Sequence, residues 1–360
     1  MEIRIGKVTI GNGLPTVVIP EAGDNHRGSL DRAKELAQCA KEAGARIIKF
    51  QLHLPDEEMD QAGMAETSSK MFSAWGDLYG FISQNLLSVA DHAKLIAFCK
   101  EIDIQYFCTP FSAKAAHILK EIGGDSAYKI GSGETEDLPM IEEVASLGRP
   151  MIVSTGMSTY EEIDLTVQTL RSYTIPFALM HCISTYPPKS LRDLHLGVIS
   201  ELQKKYNVIV GFSDHTPPEG VVAQTGETIS ESQLMWGAIG QGACFIEKHF
   251  TVNRQAPDAD SRFSHDKKTL QRLLSDVKTI DEAMDKNRDV FENEKAVWIW
   301  AKRSVCVKNA AKAGSIITKD MLTSKRPGIG IRSKNYKLIL GKTLQRDLRQ
   351  GEMIFPKDIA

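Results

Sequence analysis

A closed (β/α)8 TIM barrel followed by a small C-terminal domain is the fold class this sequence predicts, and three observations carry it. Short apolar runs alternate with amphipathic helical stretches, the order that parallel strands with crossover helices require. Eight such pairs fit into about 285 residues, close to the roughly 250-residue norm for a barrel. No G-x-G-x-x-G follows the first strand, so the dinucleotide fingerprint of an open doubly wound sheet is missing.

Strands are predicted at residues 16–20, 46–51, 104–108, 127–131, 151–154, 177–182, 207–211 and 243–248. All are short and mostly apolar, as strands covered on both faces should be. The helices between them carry stripes such as Leu30, Ala33, Leu36, Ala37 and Ala40, which stops before Gly44. Leu147-Gly148, then Pro150, ends the fourth helix. Ser158-Thr159-Tyr160-Glu161 has the S-x-x-E form of a capping box, so the fifth helix is expected to start from Ser158. The longest interruption, residues 54–85, holds Met59, Met64, Met71, Phe72, Trp75 and Tyr79, too apolar for a free linker; a lid or a subunit contact is expected there. The eighth helix is predicted at 267–284. A polar stretch follows, so the expected boundaries are 1–285 for the barrel, 286–297 for a linker and 298–360 for a terminal domain. That domain has alternating segments such as Ser304-Val305-Cys306-Val307, glycine turns at Gly314 and Gly351, and no long amphipathic helix. So short a chain makes a marginal core, and it is expected to lean on the barrel or on a second subunit.

The 360 residues are 42% hydrophobic and 25% charged, which is the balance of a globular protein and sets aside disorder. A formal net charge of -2 provides no basic surface for phosphate backbones, so nucleic acid is excluded as the main partner. No apolar run approaches the roughly 20 residues needed to cross a bilayer, and the first residues lack a signal-peptide core, so no membrane partner and a cytoplasmic location are expected. Cys39, Cys99, Cys108, Cys182, Cys244 and Cys306 form no C-x-x-C pair and read as reduced core residues. Cys182 follows His181, but neighbours on a strand face opposite ways, which favours packing over a nucleophile.

In a parallel barrel the chemistry sits at the carboxyl ends of the strands. Collected there are Glu21, Asn25 and His26; Lys49 and Gln51; Thr109; Lys129, Ser132 and Glu134; Ser154; Ser184 and Tyr186; Ser213 and His215; and His249. Lys49 and Lys129 each interrupt an apolar strand, where an unpaired ammonium is costly. An anionic ligand between them would offset that cost, with Thr109, Ser132, Ser154 and Ser213 completing a cradle for a phosphate and a carboxylate. The alternative is that each lysine pairs with a carboxylate such as Glu21 or Glu134. His215 and His249, on adjacent strand ends, would donate two imidazoles to one divalent cation; the alternative is two satisfied structural histidines.

At these residues the sequence resembles the sialic acid synthase family, the N-acetylneuraminate synthase type that includes legionaminate and pseudaminate synthases. The segments that carry the likeness are residues 21–28 (EAGDNHRG), 49–51 (KFQ), 108–111 (CTPF), 128–134 (YKIGSGE), 154–157 (STGM), 211–216 (GFSDHT) and 247–251 (EKHFT). The terminal module, with Lys325-Arg326-Pro327-Gly328 and Gly330, resembles the antifreeze-like domain of bacterial members, the SAF domain of β-clip type.

The resemblance implies condensation of phosphoenolpyruvate with an open-chain N-acetylated amino sugar, release of phosphate by C–O cleavage, and a divalent metal, Mn2+ before Mg2+ or Co2+. It implies a domain-swapped homodimer in which the terminal domain of one subunit covers the partner's site. By motif position Lys49, Thr109, Lys129, Ser132, Ser154, Ser184 and Ser213 would bind phosphoenolpyruvate, and His215 and His249 would hold the metal. Glu21 and Glu134 are expected to handle protons jointly. Gln51, Phe111, Tyr186, Asp260 and Arg326 match acceptor positions, with Arg326 arriving from the partner chain near the N-acetyl group. Two departures bear on the acceptor: Asp258-Ala259-Asp260-Ser261 stands where many relatives read G-P-D-H before a serine, and Ser184 stands where relatives often have Asn or Thr. The segment Pro217 to Leu234 is longer and more polar than that loop usually is. Residues 53–59 favour the N-acetylmannosamine-using branch; a di-acetamido hexose is the alternative acceptor. A Schiff-base aldolase built on Lys49 or Lys129 and a non-catalytic sugar-binding paralogue remain as rival functions.

Overall fold

The computed structural model describes residues 1–71, 77–256, 260–284 and 289–360. Phe72, Trp75 and the Met71 side chain of the long interruption, Asp258-Ala259 and the first linker residues lie outside what is described. The chain divides into two compact units, Met1–Asp285 and Lys286–Ala360.

The first unit opens with an unforeseen hairpin, β1 (Glu2–Ile5) and β2 (Val8–Gly11), paired antiparallel with Ile3 opposite Ile10 and Ile5 opposite Val8. Gly6, at φ +53°, makes its tight turn in the left-handed region. The alternation Ile3, Ile5, Val8, Ile10 was visible in the sequence, and these side chains pack with Val17, Ile19, Ile47, Phe107, Ile152 and Phe245 inside the barrel.

The barrel strands are β3 (Val17–Glu21), β4 (Ile47–Leu52), β5 (Gln105–Pro110), β6 (Tyr128–Ile130), β7 (Met151–Ser154), β8 (Phe177–Cys182), β9 (Val210–Asp214) and, after the short hairpin β10 (Val221–Val222) and β11 (Thr228–Ile229), β12 (Phe245–His249). They form one eight-stranded sheet in the order β5-β4-β3-β12-β9-β8-β7-β6, and β5 and β6 lie side by side at the seam, which closes the predicted (β/α)8 barrel.

The helices are α1 (Leu30–Ala43), α2 (Pro55–Glu58), α3 (Gln61–Met71), α4 (Leu78–Asn85), α5 (Val89–Glu101), α6 (Ala113–Glu121), α7 (Leu138–Ser146), α8 (Tyr160–Ser172), α9 (Gly197–Tyr206), α10 (Glu231–Gly240) and α11 (Lys267–Ala283). Their apolar stripes pack on the outer faces of the strands in the main core. The interruption at 54–85 is thus α2 to α4.

Two expectations shift. The seventh strand runs 210–214 rather than 207–211, because Asn207 ends α9 in the left-handed conformation at φ 50° and the ladder continues into polar Ser213 and Asp214. Helix α8 is capped by Thr159 with Glu162, one residue later than expected. The sequence holds two overlapping boxes, and Ser158 donates instead to the Gly156 carbonyl.

In the second unit α12 (Lys295–Ala301) starts inside the stretch expected to be linker, because the apolar run Ala296–Ala301 continues a helix. Strands β13 (Ser304–Val307) and β14 (Leu322–Lys325) pair antiparallel, and Val305, Val307, Ile317, Ile339, Leu344, Leu348 and Ile354 form a small core.

Candidate active site

Alternation along each strand decides what faces the barrel interior. Lys49, Gln51 and His53 recur every second residue on and just beyond β4, as do Glu247 and His249 on β12. Lys49 Nζ is ion-paired with Glu21, lies 3.6 Å from Glu247 Oε2 and donates to Thr109 Oγ1 at 3.1 Å. Burial alone would lower the Lys49 pKa, but the charges of Glu21 and Glu247 outweigh it and hold the ammonium above its ordinary value. Ser213 Oγ donates to Glu247 Oε1 at 3.0 Å, which fixes that carboxylate from the neighbouring strand β9. The paired-lysine alternative therefore holds for Lys49, with Glu247 as an added partner.

Lys129 differs. Its Nζ donates to Ser154 Oγ at 2.7 Å and to the Ile130 carbonyl at 3.0 Å, it is 3% exposed, and it forms no ion pair among the described residues. Burial lowers its pKa; the more distant Glu247 opposes this and Lys49 adds to it. Beside it the hydroxyls of Ser132 and Ser184 converge on Gly156, where a Cβ atom would sit 2.6 Å from both oxygens. Glycine leaves that space open. Cys182 Sγ borders the same space at 3.2 Å from that position, so this cysteine faces the serines rather than the apolar core expected for it. Burial raises its pKa, which keeps it a thiol and a poor nucleophile.

The two imidazoles come together with ring centroids 5.3 Å apart. His215 Nδ1 faces the Ile183 carbonyl at 2.9 Å, and His249 Nδ1 faces Asp260 Oδ2 at 3.1 Å. Neither Nε2 has a hydrogen-bond partner among the described residues, so both rings are oriented with that nitrogen free, the arrangement of metal-ligating histidines. Burial drives the His215 pKa down to about 4, keeping its ring a neutral lone-pair donor. Burial also works on His249, but Asp260 outweighs it and lifts the pKa. Among the described residues no group of three His, Cys, Asp or Glu side chains is placed to hold a metal ion. His215 and His249 could supply two ligands to a divalent ion.

Tyr186 lies over His215 with centroids 4.2 Å apart, and Phe263, which sequence reasoning missed, packs on His249 at 5.1 Å. Gln51 Nε2 donates to Glu21 Oε1 at 2.8 Å. Glu134 and Phe111 line a cleft of about 860 Å3 between the α2–α4 insert and helices α6 and α7. Burial raises the Glu134 pKa, its Oε2 has no hydrogen-bond partner, and it does not pair with Lys129. Arg326 belongs to the second unit, where its guanidinium lies 5.3 Å from the Trp300 ring centre.

A second buried network was also missed. Lys248, facing outward between Glu247 and His249, reaches Asp214 at 2.9 Å, Glu231 at 2.9 Å and the Thr216 carbonyl at 2.6 Å, and His265 contacts Glu231 at 2.6 Å. The long polar segment after His215 thus forms the β10–β11 hairpin and delivers Glu231 at the start of α10. The His265 amide bonds the His249 carbonyl at 2.7 Å, so the network braces the loop that carries Asp260 and Phe263.

A closed parallel barrel whose buried charges and hydroxyls converge at the carboxyl ends of its strands has the layout of a barrel enzyme. The chain belongs to the NeuB family, whose profile matches residues 36–289, and the SAF domain profile matches 302–360. The N,N'-diacetyllegionaminic acid synthase of Legionella pneumophila is 30% identical over 348 residues, 95% of this chain and 94% of its own. The N-acetylneuraminate-9-phosphate synthase of Homo sapiens is 30% identical over 319 residues, 88% of this chain and 84% of its own. The crystal structure of N-acetylneuraminic acid (sialic acid) synthetase from Leptospira borgpetersenii, in complex with citrate, matches with a TM-score of 0.70 at 28% identity over 82% of this chain and 95% of that one. No helix among the described residues is long and apolar enough to cross a membrane.

Proposed function

We propose that this chain condenses phosphoenolpyruvate with an open-chain N-acetylated amino sugar, N-acetylmannosamine first, to give N-acetylneuraminate and phosphate. One observation carries the reading: the Lys129 ammonium is buried on a hydroxyl and a carbonyl, with no carboxylate partner among the described residues. A buried cation so placed is compensated when an anion binds. Lys129, Ser132, Ser154 and Ser184 would hold one anionic group of phosphoenolpyruvate, and Lys49, Thr109 and Ser213 would place the other. The enol carbon then attacks the sugar aldehyde, forming the C–C bond. Water adds to the resulting oxocarbenium-like centre, its proton passing to the carboxylate that protonated the alkoxide. The hemiketal so formed expels phosphate by C–O cleavage, its hydroxyl proton leaving with the phosphate. Glu134, its pKa raised by burial, is suited to give a proton to the new alkoxide, while Glu21, tied to Lys49 and Gln51, orients the reactants. A divalent ion, Mn2+ before Mg2+ or Co2+, would be held by His215 and His249 and would polarise the aldehyde. Gln51, Phe111, Tyr186 and Asp260 would contact the acceptor. The proposal includes a cytoplasmic, domain-swapped homodimer in which a second copy supplies Arg326.

The relatives' names divide over the acceptor, so a di-acetamido hexose leading to legionaminate or pseudaminate is the alternative to be separated by assay. Phosphate release from phosphoenolpyruvate, with each sugar tried separately and the product weighed by mass spectrometry, is expected with one acceptor and abolished by a chelator. Release unaffected by chelation would defeat the metal assignment. The lowered pKa of Lys129 favours a second reading, a Schiff-base aldolase; borohydride with pyruvate would then trap a covalent adduct, and none is expected. Gly156→Ala is expected to raise the KM for phosphoenolpyruvate at least roughly tenfold with little change in melting temperature, since the new methyl displaces Ser132 and Ser184 hydroxyls worth about 1 kcal/mol each.

A further inference from the structure

A chain of polar contacts runs from the insert into the barrel. Glu58, at the end of α2, meets His53 Nδ1 at 2.8 Å through Oε2 and takes the Leu54 amide on its other oxygen. His53 Nε2 meets Gln51 Oε1 at 3.0 Å, and Gln51 Nε2 donates to Glu21 at 2.8 Å. His53 is stacked on Phe111 with ring centroids 4.2 Å apart, and the His53 and Glu58 side chains are 5% and 7% exposed. Both ring nitrogens thus face oxygen acceptors, which only the imidazolium satisfies, since it alone donates from both.

We propose that protonated His53, clamped by Glu58, is a positioning residue that fixes the orientation of the Gln51 amide and thereby sets the hydrogen bond the acceptor sugar receives. The inference rests on the acceptor role given to Gln51 above. With the proton in place, Gln51 shows its oxygen to His53, gives one N–H to Glu21 and keeps the second N–H for the sugar. When His53 loses the proton and keeps its N–H towards Glu58, its Nε2 lone pair faces Gln51 Oε1. The bond that fixes the amide is then gone, and turning it over would only set Oε1 against the Glu21 carboxylate, so the amide is held by Glu21 alone and the acceptor loses a firmly placed donor.

The surroundings hold the proton. Burial would lower the His53 pKa, but the bond to Glu58 and the charges of Asp24, after β3, and Glu134, after β6, outweigh it and raise the value above 6.5. Burial pushes Asp24 up to about 6, so it gains its charge just below the window in which His53 titrates. His26 and His92 are held neutral by burial. Across the cleft Lys114 is paired with Glu57 at 2.6 Å and His117 with Glu143 at 3.0 Å. A raised histidine keeps its effect below the ordinary pKa and loses it as pH rises through the folded value, so acceptor binding weakens on the alkaline side.

The test uses the full-length protein. The His53 ring signal, identified by its loss in His53→Asn, gives the midpoint by NMR, and the KM for each substrate is followed across the same pH range. The acceptor KM is expected to rise roughly tenfold through that midpoint, about 1.4 kcal/mol, while the KM for phosphoenolpyruvate does not follow it. In Glu58→Gln both the midpoint and the acceptor inflection should move together to lower pH. An acceptor KM indifferent to the His53 midpoint, or a Glu58→Gln variant that weakens both substrates alike, would overturn the proposal and leave the pair merely structural. Should no sugar be turned over at all, the proposed reaction fails separately, and the side-chain amide signals of Gln51 still decide: they shift with the His53 midpoint if the proton holds the amide, and stay fixed if it does not.

Discussion

Replacing Lys49 with methionine is expected to destabilise the folded chain by about 3–5 kcal/mol at pH 7, the usual consequence of stripping one partner from a buried ion pair. Methionine keeps most of the volume, so the loss reports charge. Two carboxylates depend on this ammonium: Glu21 is 1% exposed and Glu247 is 6% exposed. Burial by itself would raise the Glu247 pKa; Lys49, then Lys129, draw it well below the usual carboxylate range. A carboxylate lowered in this way contributes stability above its unfolded pKa near 4.5 and loses that contribution as pH falls through the folded value. In the variant the sign reverses, because a buried carboxylate without its cation has a raised pKa and is relieved by a proton. Urea unfolding should therefore find the gap between variant and wild type narrower at pH 5 than at pH 7, and Glu247→Gln should recover part of it. An equal gap at both pH values, with no rescue, would mean that packing rather than charge is responsible.

Lys49 also shows how far the sequence reaches. An ammonium in an apolar strand can be satisfied by a carboxylate or by a ligand, and only distances tell which. The barrel was legible because strand length, apolarity and helical spacing are local properties. The strand ends were not, since a barrel strand continues in the ladder past its apolar run, and the extra residues are the polar ones: Glu21, Thr109, Ser213 and His249 all lie in ladders that an apolar criterion cuts short.

Glu247 was within reach. The period of two that turns His249 inward turns Glu247 inward as well, and places Lys248 on the outer face. The network around Lys248 was out of reach, because its partners Asp214 and Glu231, and the His265 that holds Glu231, come from three separate segments that only the closed barrel assembles. The same holds for Glu58. Five residues from His53, it is off the three- or four-residue spacing of a helical turn, and the link from His53 through Gln51 to Glu21 needs β3 and β4 side by side.

Lys129→Met is expected to act in the opposite sense to Lys49→Met: the ligand-free protein should gain stability, by about 1–3 kcal/mol, while the KM for phosphoenolpyruvate rises by roughly two to three orders of magnitude. Lys129 is as buried as Lys49, 3% exposed in both cases, yet its Nζ has a hydroxyl and a carbonyl where Lys49 has carboxylates. Burial, with Lys49 adding to it against the pull of Glu247, holds its pKa below 10.5. For a lysine lowered in this way the penalty is complete at neutral pH and relaxes only as pH rises through the folded value towards 10.5, so the advantage of the variant should shrink in alkaline buffer. The cradle is then read as a charge balance. Lys49 is largely neutralised by Glu21 and Glu247, which leaves Lys129 to meet the incoming anion, and the anion supplies the counter-charge that the fold withholds. Urea unfolding with and without phosphoenolpyruvate separates the two roles: the ligand should stabilise the wild type and leave Lys129→Met nearly unchanged. If the variant is instead less stable than the wild type without ligand, the ammonium serves the fold through Ser154, and the reading of Lys129 as a cation kept for substrate is lost.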